Sequence, residues 1–438
     1  MSGRGLGVWS GTGLVVANMI GAGVFLSSGF MAQQMGALAI MLAWLAGTAI
    51  ALCGVVAYGE VARLVPRSGG EYRYLSELLH PGLGYLAGWA SLLVGFSAPI
   101  AVCAAAAGHF ANTLGLALPP SLTGAVLIVV LTAAHAAGFT PSRRVQDGLV
   151  AVKTALVAGF ALVGLAHVRG SWPSWSPPRP AEEPVSVFLG SLFFVAFAFS
   201  GWNAAVYAAE EFAEPRRDVP RAMVLGCVVV AALYLAVNWV FVASLTPERA
   251  AAVFAYESTR VTLGHLVMTD VLGEAGGRAM SVLAIVAFVS SMSAMLFVGP
   301  RVYAAMAEDG FLPRGLARRR RDVPVASVIL QGALALVLLL TQRLQQTLSN
   351  LGAILTLFAA LVALALFVVP RTRGLRPSAT ARGAAALYVL SAAWMLYNGL
   401  RAGTRLEVWL GLVAAAALAF WWRSRRGRAP GEEPAIRP

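Results

Sequence analysis

Long apolar stretches separated by short, arginine-bearing polar segments run through nearly all of this 438-residue chain. A helix needs about 20 predominantly apolar residues to cross ~30 Å of hydrocarbon. Candidate runs lie near 10–34, 36–62, 83–108, 121–138, 146–167, 185–211, 221–245, 278–306, 325–341, 347–369, 383–401 and 406–422. The pattern therefore predicts an all-α polytopic membrane protein with 12 transmembrane helices in one domain over 1–422. An even number of spans puts both termini on one side. Segment 246–277 has helical apolar spacing and predicts short helices on the outer face. Segment 171–184, with five prolines, predicts a stiff loop, and the Arg-, Pro- and Glu-rich stretch 423–438 predicts a disordered tail.

Composition narrows the class. Hydrophobic residues make up 58% and charged residues 12%, with mean hydropathy +0.74. A soluble chain carries about a quarter charged residues. An ordinary cytosolic enzyme, a disordered chain and a disulfide scaffold are thereby excluded. The net charge of +13 would suggest nucleic acid in a soluble protein. Here the arginines follow the spans: with both termini inside, 24 fall on the inner segments and 8 on the outer ones. That bias predicts cytoplasmic termini and removes nucleic acid as a partner. Cys53, Cys103 and Cys227 lie inside apolar runs, the five histidines show no metal spacing, and no cleavable signal peptide is expected at the start. No cofactor and no metal site are expected.

One basic residue stands apart. Lys153 is the only lysine in the chain and sits inside the fifth span, in QDGLVAVKTALVAGF. Arginine keeps its proton in a protein, whereas a buried lysine can lose it. An intramembrane cation faces a bundle interior or a watery cavity and marks function. The functional reading is a proton-binding group or a fixed cation in place of a metal ion. The alternative is a side chain that snorkels to the interface.

Two spans carry breaks. Span one holds Gly21-Ala22-Gly23 mid-depth, between the β-branched Ile20 and Val24. Span six holds Ser200-Gly201, followed by Trp202 and Asn203. Interrupted segments at matching positions in two halves point to a transporter site, although paired glycines also serve close helix packing. The breaks lie five spans apart, so the second half would be inverted. Broken helices expose main-chain poles at membrane depth. The N–H groups beginning the half-helix after Gly23 suit a carboxylate, and carbonyls ending near Ile20 and Phe199 suit an ammonium. An α-amino acid carries both groups.

These residues resemble the amino acid–polyamine–organocation (APC) transporter superfamily, and within it the L-type amino acid transporter family and its bacterial relatives. GAGVF (Gly21 to Phe25), PRSGGEYRYL (Pro66 to Leu75), RRVQDGLVAVK (Arg143 to Lys153), FAFSGWN (Phe197 to Asn203) and SSMSAMLFVGPRVYAAMAEDGFLP (Ser290 to Pro313) carry the likeness, in order. The resemblance implies a LeuT-type 5+5 inverted repeat with broken helices 1 and 6: repeat one about 10–167, repeat two about 185–369, extra helices 383–422. It implies substrate carboxylate on the amides of Ala22, Gly23 and Val24, and substrate ammonium on carbonyls of Ile20, Phe197, Ala198 and Ser200. It makes Phe197 an aromatic gate and Asn203 a polar residue beside the break. It puts Lys153 where sodium-coupled relatives hold a sodium ion, with Ser290 and Ser291 as neighbours. Ala22 replaces a serine of the family motif. Segment 108–121 lacks the cysteine that bonds eukaryotic L-type members to a heavy chain, so no disulfide-linked heavy chain is expected.

The resulting expectation is a sodium-independent secondary transporter of small neutral L-amino acids in the plasma (inner) membrane, an exchanger or a proton-coupled symporter. Its partners are the substrate and the bilayer. A cationic amino acid or polyamine antiporter is the alternative and needs a carboxylate in the cavity; along the chain, no Asp or Glu lies near either break. An enzyme would need paired carboxylates or a histidine cluster within the membrane, and a receptor or scaffold would not need two broken spans. Glu60, Glu210 and Glu211 read as interfacial charge or inner-gate partners. Trp202 reads as cavity lining or packing.

Overall fold

The computed structural model describes residues 5–139, 143–168, 172–173, 175–177, 183–308, 310, 312–320, 323–373, 376–401, 411, 413–415 and 418. The predicted tail 423–438, most of the twelfth span and much of the 171–184 loop lie outside them. Among the described residues the protein is all helix, with two isolated β-bridges and no strand.

Helices occupy each of the first eleven apolar segments. They are α1 (Val8–Met19) with α2 (Ala22–Met31), α3 (Ala37–Leu64), the short α4 (Glu71–Leu78), α5 (Pro81–Thr113), α6 (Pro120–Ala136) and α7 (Arg143–His167). The second half has α8 (Pro184–Phe199), the single turn α9 (Ala204–Tyr207), α10 (Pro215–Ser244), α11 (Pro247–Ala255), α12 (Glu257–Val261), α13 (Leu263–Glu308), α14 (Val325–Thr341), α15 (Leu344–Arg373) and α16 (Ala379–Arg401). Among the described residues seven helices are long and apolar enough to cross a membrane. The bent pair α1–α2 makes an eighth. Outward faces of these helices carry exposed Leu162, Leu390 and Trp394, as a lipid-facing surface requires.

The predicted outer segment folds as α11, α12 and the start of α13. There Gly273, at φ +70°, separates a leading helical stretch from the span proper. Small residues let the helices approach. The Gly29 Cα has no room for a methyl group against the Arg260 carbonyl, which seats α12 on α2. Ser28 Oγ donates to Asn238 Oδ1 (2.6 Å) and accepts from Trp44 Nε1 (2.9 Å), tying α2, α3 and α10 together deep in the bundle.

At the other end, the residues before α1 are stitched to those after α9. Leu6 N–H donates to the Glu211 carbonyl (2.7 Å) and Ala213 N–H to the Leu6 carbonyl (3.0 Å), forming a parallel bridge between Leu6 and Phe212.

Candidate functional site

Both predicted breaks are present. The helix of span one stops at Met19 and restarts at Ala22, with Gly21 in extended backbone and a 41° bend between the halves. The helix of span six stops at Phe199. Ser200 turns to ψ 144° and Gly201 to φ +99°, a conformation that favours glycine, before α9 begins at Ala204. A Cβ on Gly201 would stand 2.8 Å from the Asn18 carbonyl, and one on Gly23 would collide with Ala198 Cα. The two breaks therefore lie against each other, backbone to backbone.

Freed carbonyls at membrane depth need donors, and buried side chains supply them. Lys153 is 2% exposed, which excludes snorkelling. Its Nζ donates to the carbonyls of Ala17 (2.5 Å) and Ile20 (3.0 Å). Ser291 Oγ donates to the same Ile20 carbonyl (3.3 Å). Tyr234 on α10, fully buried, shares its hydroxyl proton between the carbonyls of Met19 (2.6 Å) and Ala198 (3.1 Å), one from each break. Ser27 Oγ donates to the Gly23 carbonyl (2.7 Å) and lies 3.1 Å from that of Phe194. The Cys103 sulfur, from α5, sits at the Ala22 amide.

A cavity of about 1290 Å³ reaches the breaks from the end that bears Ser68, Glu210 and Glu211. Of the predicted site residues, Lys153, Ser200, Asn203 and Ser290 line it. Ile20, Ala22, Gly23, Val24, Phe197, Ala198 and Ser291 are not among its lining residues. Phe197 is buried, with its carbonyl accepting from Ser200 N–H (3.0 Å), and Phe199 faces the cavity instead. Trp202 lines it too, its ring edge-on to Tyr58 at 4.7 Å. A π-helical turn over Ser91–Phe96 brings Ser91, Gly95 and Phe96 to the wall. Arg301 also reaches the wall, its guanidinium stacked 3.5 Å from the Phe297 ring centroid. Among the described residues no three His, Cys, Asp or Glu side chains converge as a metal site requires.

Although no acid lies near either break along the chain, the fold brings one to the second break. Glu71, at the start of α4, faces the cavity and accepts from Asn203 Nδ2 (2.5 Å), Tyr207 Oη (2.7 Å) and Tyr58 Oη (3.2 Å). It lies more than 130 positions before Asn203 in sequence. The signal was the pair Gly69-Gly70, both at positive φ, which turns the chain inward just before it. A Cβ on Gly70 would strike the Tyr207 ring, so the turn presses directly on α9. Glu60 is a different case: it accepts from Arg63 (2.8 Å) and from Ser378 N–H (2.7 Å), anchoring α3 to the start of α16.

Many apolar helices, two breaks placed face to face and a cavity leading to them are the architecture of a polytopic membrane carrier. The chain belongs to the amino acid permease family, whose model matches residues 6–420. It is 25% identical over 368 residues to the Large neutral amino acids transporter small subunit 2 of Homo sapiens, covering 81% of this chain and 67% of that protein. It is 25% identical over 354 residues to the Asc-type amino acid transporter 1 of Mus musculus (76% and 64%). It is 24% identical over 381 residues to the b(0,+)-type amino acid transporter 1 of Oryctolagus cuniculus (84% and 76%). These relatives are transporters by name, and the chain is an amino acid transporter of the same family.

Proposed function

We propose that this protein is a sodium-independent secondary transporter of small neutral L-amino acids, working by alternating access as an exchanger or a proton-coupled symporter. It sits in the plasma (inner) membrane with both termini cytoplasmic and 12 spans. Residues 10–167 and 185–369 form two inverted five-helix repeats, followed by extra helices over 383–422. The cavity then opens to the cytoplasm.

The observation that carries this reading is the Lys153 ammonium held between the span-one carbonyls of Ala17 and Ile20. A fixed positive charge at a helix break does what a bound sodium ion would do there, so the cycle needs none. The substrate carboxylate binds the amides of Ala22, Gly23 and Val24 once the contact between Gly23 and Ala198 loosens. Its ammonium goes to acceptors around the second break. Zwitterions are favoured because helix ends carry half-charges of both signs. No disulfide-linked heavy chain is proposed, because segment 108–121 contains no cysteine.

Glu71 favours a second reading, the cationic amino acid or polyamine antiporter, since it supplies the cavity carboxylate which that reading needs. Its three neutral donors already satisfy most of its acceptor sites, which supports the neutral reading over it. A competition panel against labelled alanine in proteoliposomes decides. Alanine, serine or leucine as the strongest competitors support the neutral reading. Arginine or putrescine in that place overturn it. Stimulation by preloaded amino acid alone identifies exchange, and stimulation by an imposed proton gradient alone identifies symport.

A further inference from the structure

The ammonium half of the substrate poses a problem that the site geometry itself raises. Main-chain carbonyls at the breaks are the expected acceptors, yet the Ile20 carbonyl already takes Lys153 and Ser291, and those of Met19 and Ala198 share Tyr234. A carbonyl has two lone pairs, so Ile20 has none to spare. With Ile20 closed to the substrate, an acceptor that faces the cavity beside Ser200 can take its place.

Asn203 is that group, and Glu71 makes it one. An amide side chain can present either its oxygen or its nitrogen to a cavity. A carboxylate accepts hydrogen bonds and does not donate them, so the Asn203 nitrogen must turn toward Glu71, where Nδ2 lies 2.5 Å from Oε1. The second N–H points at the Tyr207 hydroxyl oxygen (3.4 Å), and that hydroxyl in turn donates to Glu71 Oε2 (2.7 Å). Tyr58 completes the set from α3. Both Asn203 protons are thus spent on Glu71 and Tyr207. Its Oδ1 receives no hydrogen bond from any described residue, on a side chain that lines the cavity. The turn that carries Glu71 is fixed independently: Ser68 Oγ accepts from Glu210 N–H (3.0 Å), and Gly70 packs on the Tyr207 ring.

We propose that Glu71 is a positioning residue that locks the Asn203 amide with Oδ1 toward the cavity, where it accepts a hydrogen bond from the substrate ammonium. This rests on the amino acid reading above. The negative charge acts at one remove: it polarises the amide and rejects the flipped rotamer, without itself touching the substrate. A ligand lacking the amine gains nothing from the arrangement.

The test is a double-mutant cycle on the full chain in detergent, reading equilibrium binding of alanine and of propionate (the same acid without the amine) beside thermal stability. Glu71→Gln keeps the volume but lets the Asn203 amide pair in either orientation, and weakens alanine binding by about threefold. Glu71→Leu removes the acceptor and weakens it by about tenfold or more, the usual scale for one lost polar contact. Propionate binding is unchanged by either. In an Asn203→Leu background, neither Glu71 substitution has any further effect on alanine. Glu71 effects that persist in that background, or that fall equally on propionate, overturn the proposal: Glu71 then acts on the substrate directly or on the fold alone. If Glu71→Leu does not fold, Glu71→Gln carries the same cycle. A parent chain that binds no amino acid sinks the reading beneath the proposal, while a parent that binds alanine and ignores both Glu71 changes sinks only the proposal.

Discussion

Replacing Lys153 with methionine tests the centre of the site, because it keeps an unbranched side chain only one atom shorter and removes the charge and donors. The substitution takes hydrogen bonds from the carbonyls of Ala17 and Ile20, at 2.5 and 3.0 Å. Bonds from an ionised donor are worth about 1.5–3 kcal/mol each. Ile20 keeps the longer contact from Ser291. Part of the loss is offset, because methionine does not have to hold a charge away from water. A net penalty of about 3 kcal/mol on the geometry of the break remains, which is roughly a hundredfold at about 1.4 kcal/mol per decade. The expected result is uptake of labelled alanine into proteoliposomes reduced by about two orders of magnitude, with the protein still folded by thermal melt. Uptake comparable to the parent, from Lys153→Met protein reconstituted at equal density, would refute the reasoning outright: the break would then hold its shape without the ammonium.

Other outcomes follow from the same geometry. Exchanging sodium for choline leaves uptake unchanged; a sodium-dependent rate would show that Lys153 does not stand in for the ion. Tyr234→Phe deletes one hydroxyl that serves carbonyls on both breaks, and should slow uptake about tenfold at nearly unchanged volume, read from initial rates. Gly201→Ala meets both a positive φ and the Asn18 carbonyl, so its melting temperature should fall clearly. Gly159→Ala, with open space at its Cα, should melt at or slightly above the parent temperature.

Local chemistry was legible in the chain itself. The breaks could be read at Gly21 and Gly201 because helix propensity is a property of a few neighbouring residues. Lys153 could be read because a lone cation in an apolar run has to be accounted for wherever the run folds. The first eleven segments could be read for the same reason of length and apolarity. Tyr234 and Glu71 could not. The partners of Tyr234 are 215 and 36 positions away, and Asn203 is 132 positions from Glu71. The sequence offers only a hydroxyl in the middle of VVVAALYLAVNW and an acid in an arginine-bearing loop. Chain order alone does not show which acids approach the breaks, since a bundle makes neighbours of residues far apart in order. Which aromatic of the last turn meets the cavity depends on where the helix stops: at about 100° per residue, a stop at Phe199 puts that ring on the wall.

The parallel bridge at Leu6 couples the ends of the two broken spans at the mouth of the cavity into a single mechanical part. A pull on the start of α1 is felt at residues 211–213 through two peptide hydrogen bonds, so neither half-helix can swing outward while the other stays put unless that seam tears first.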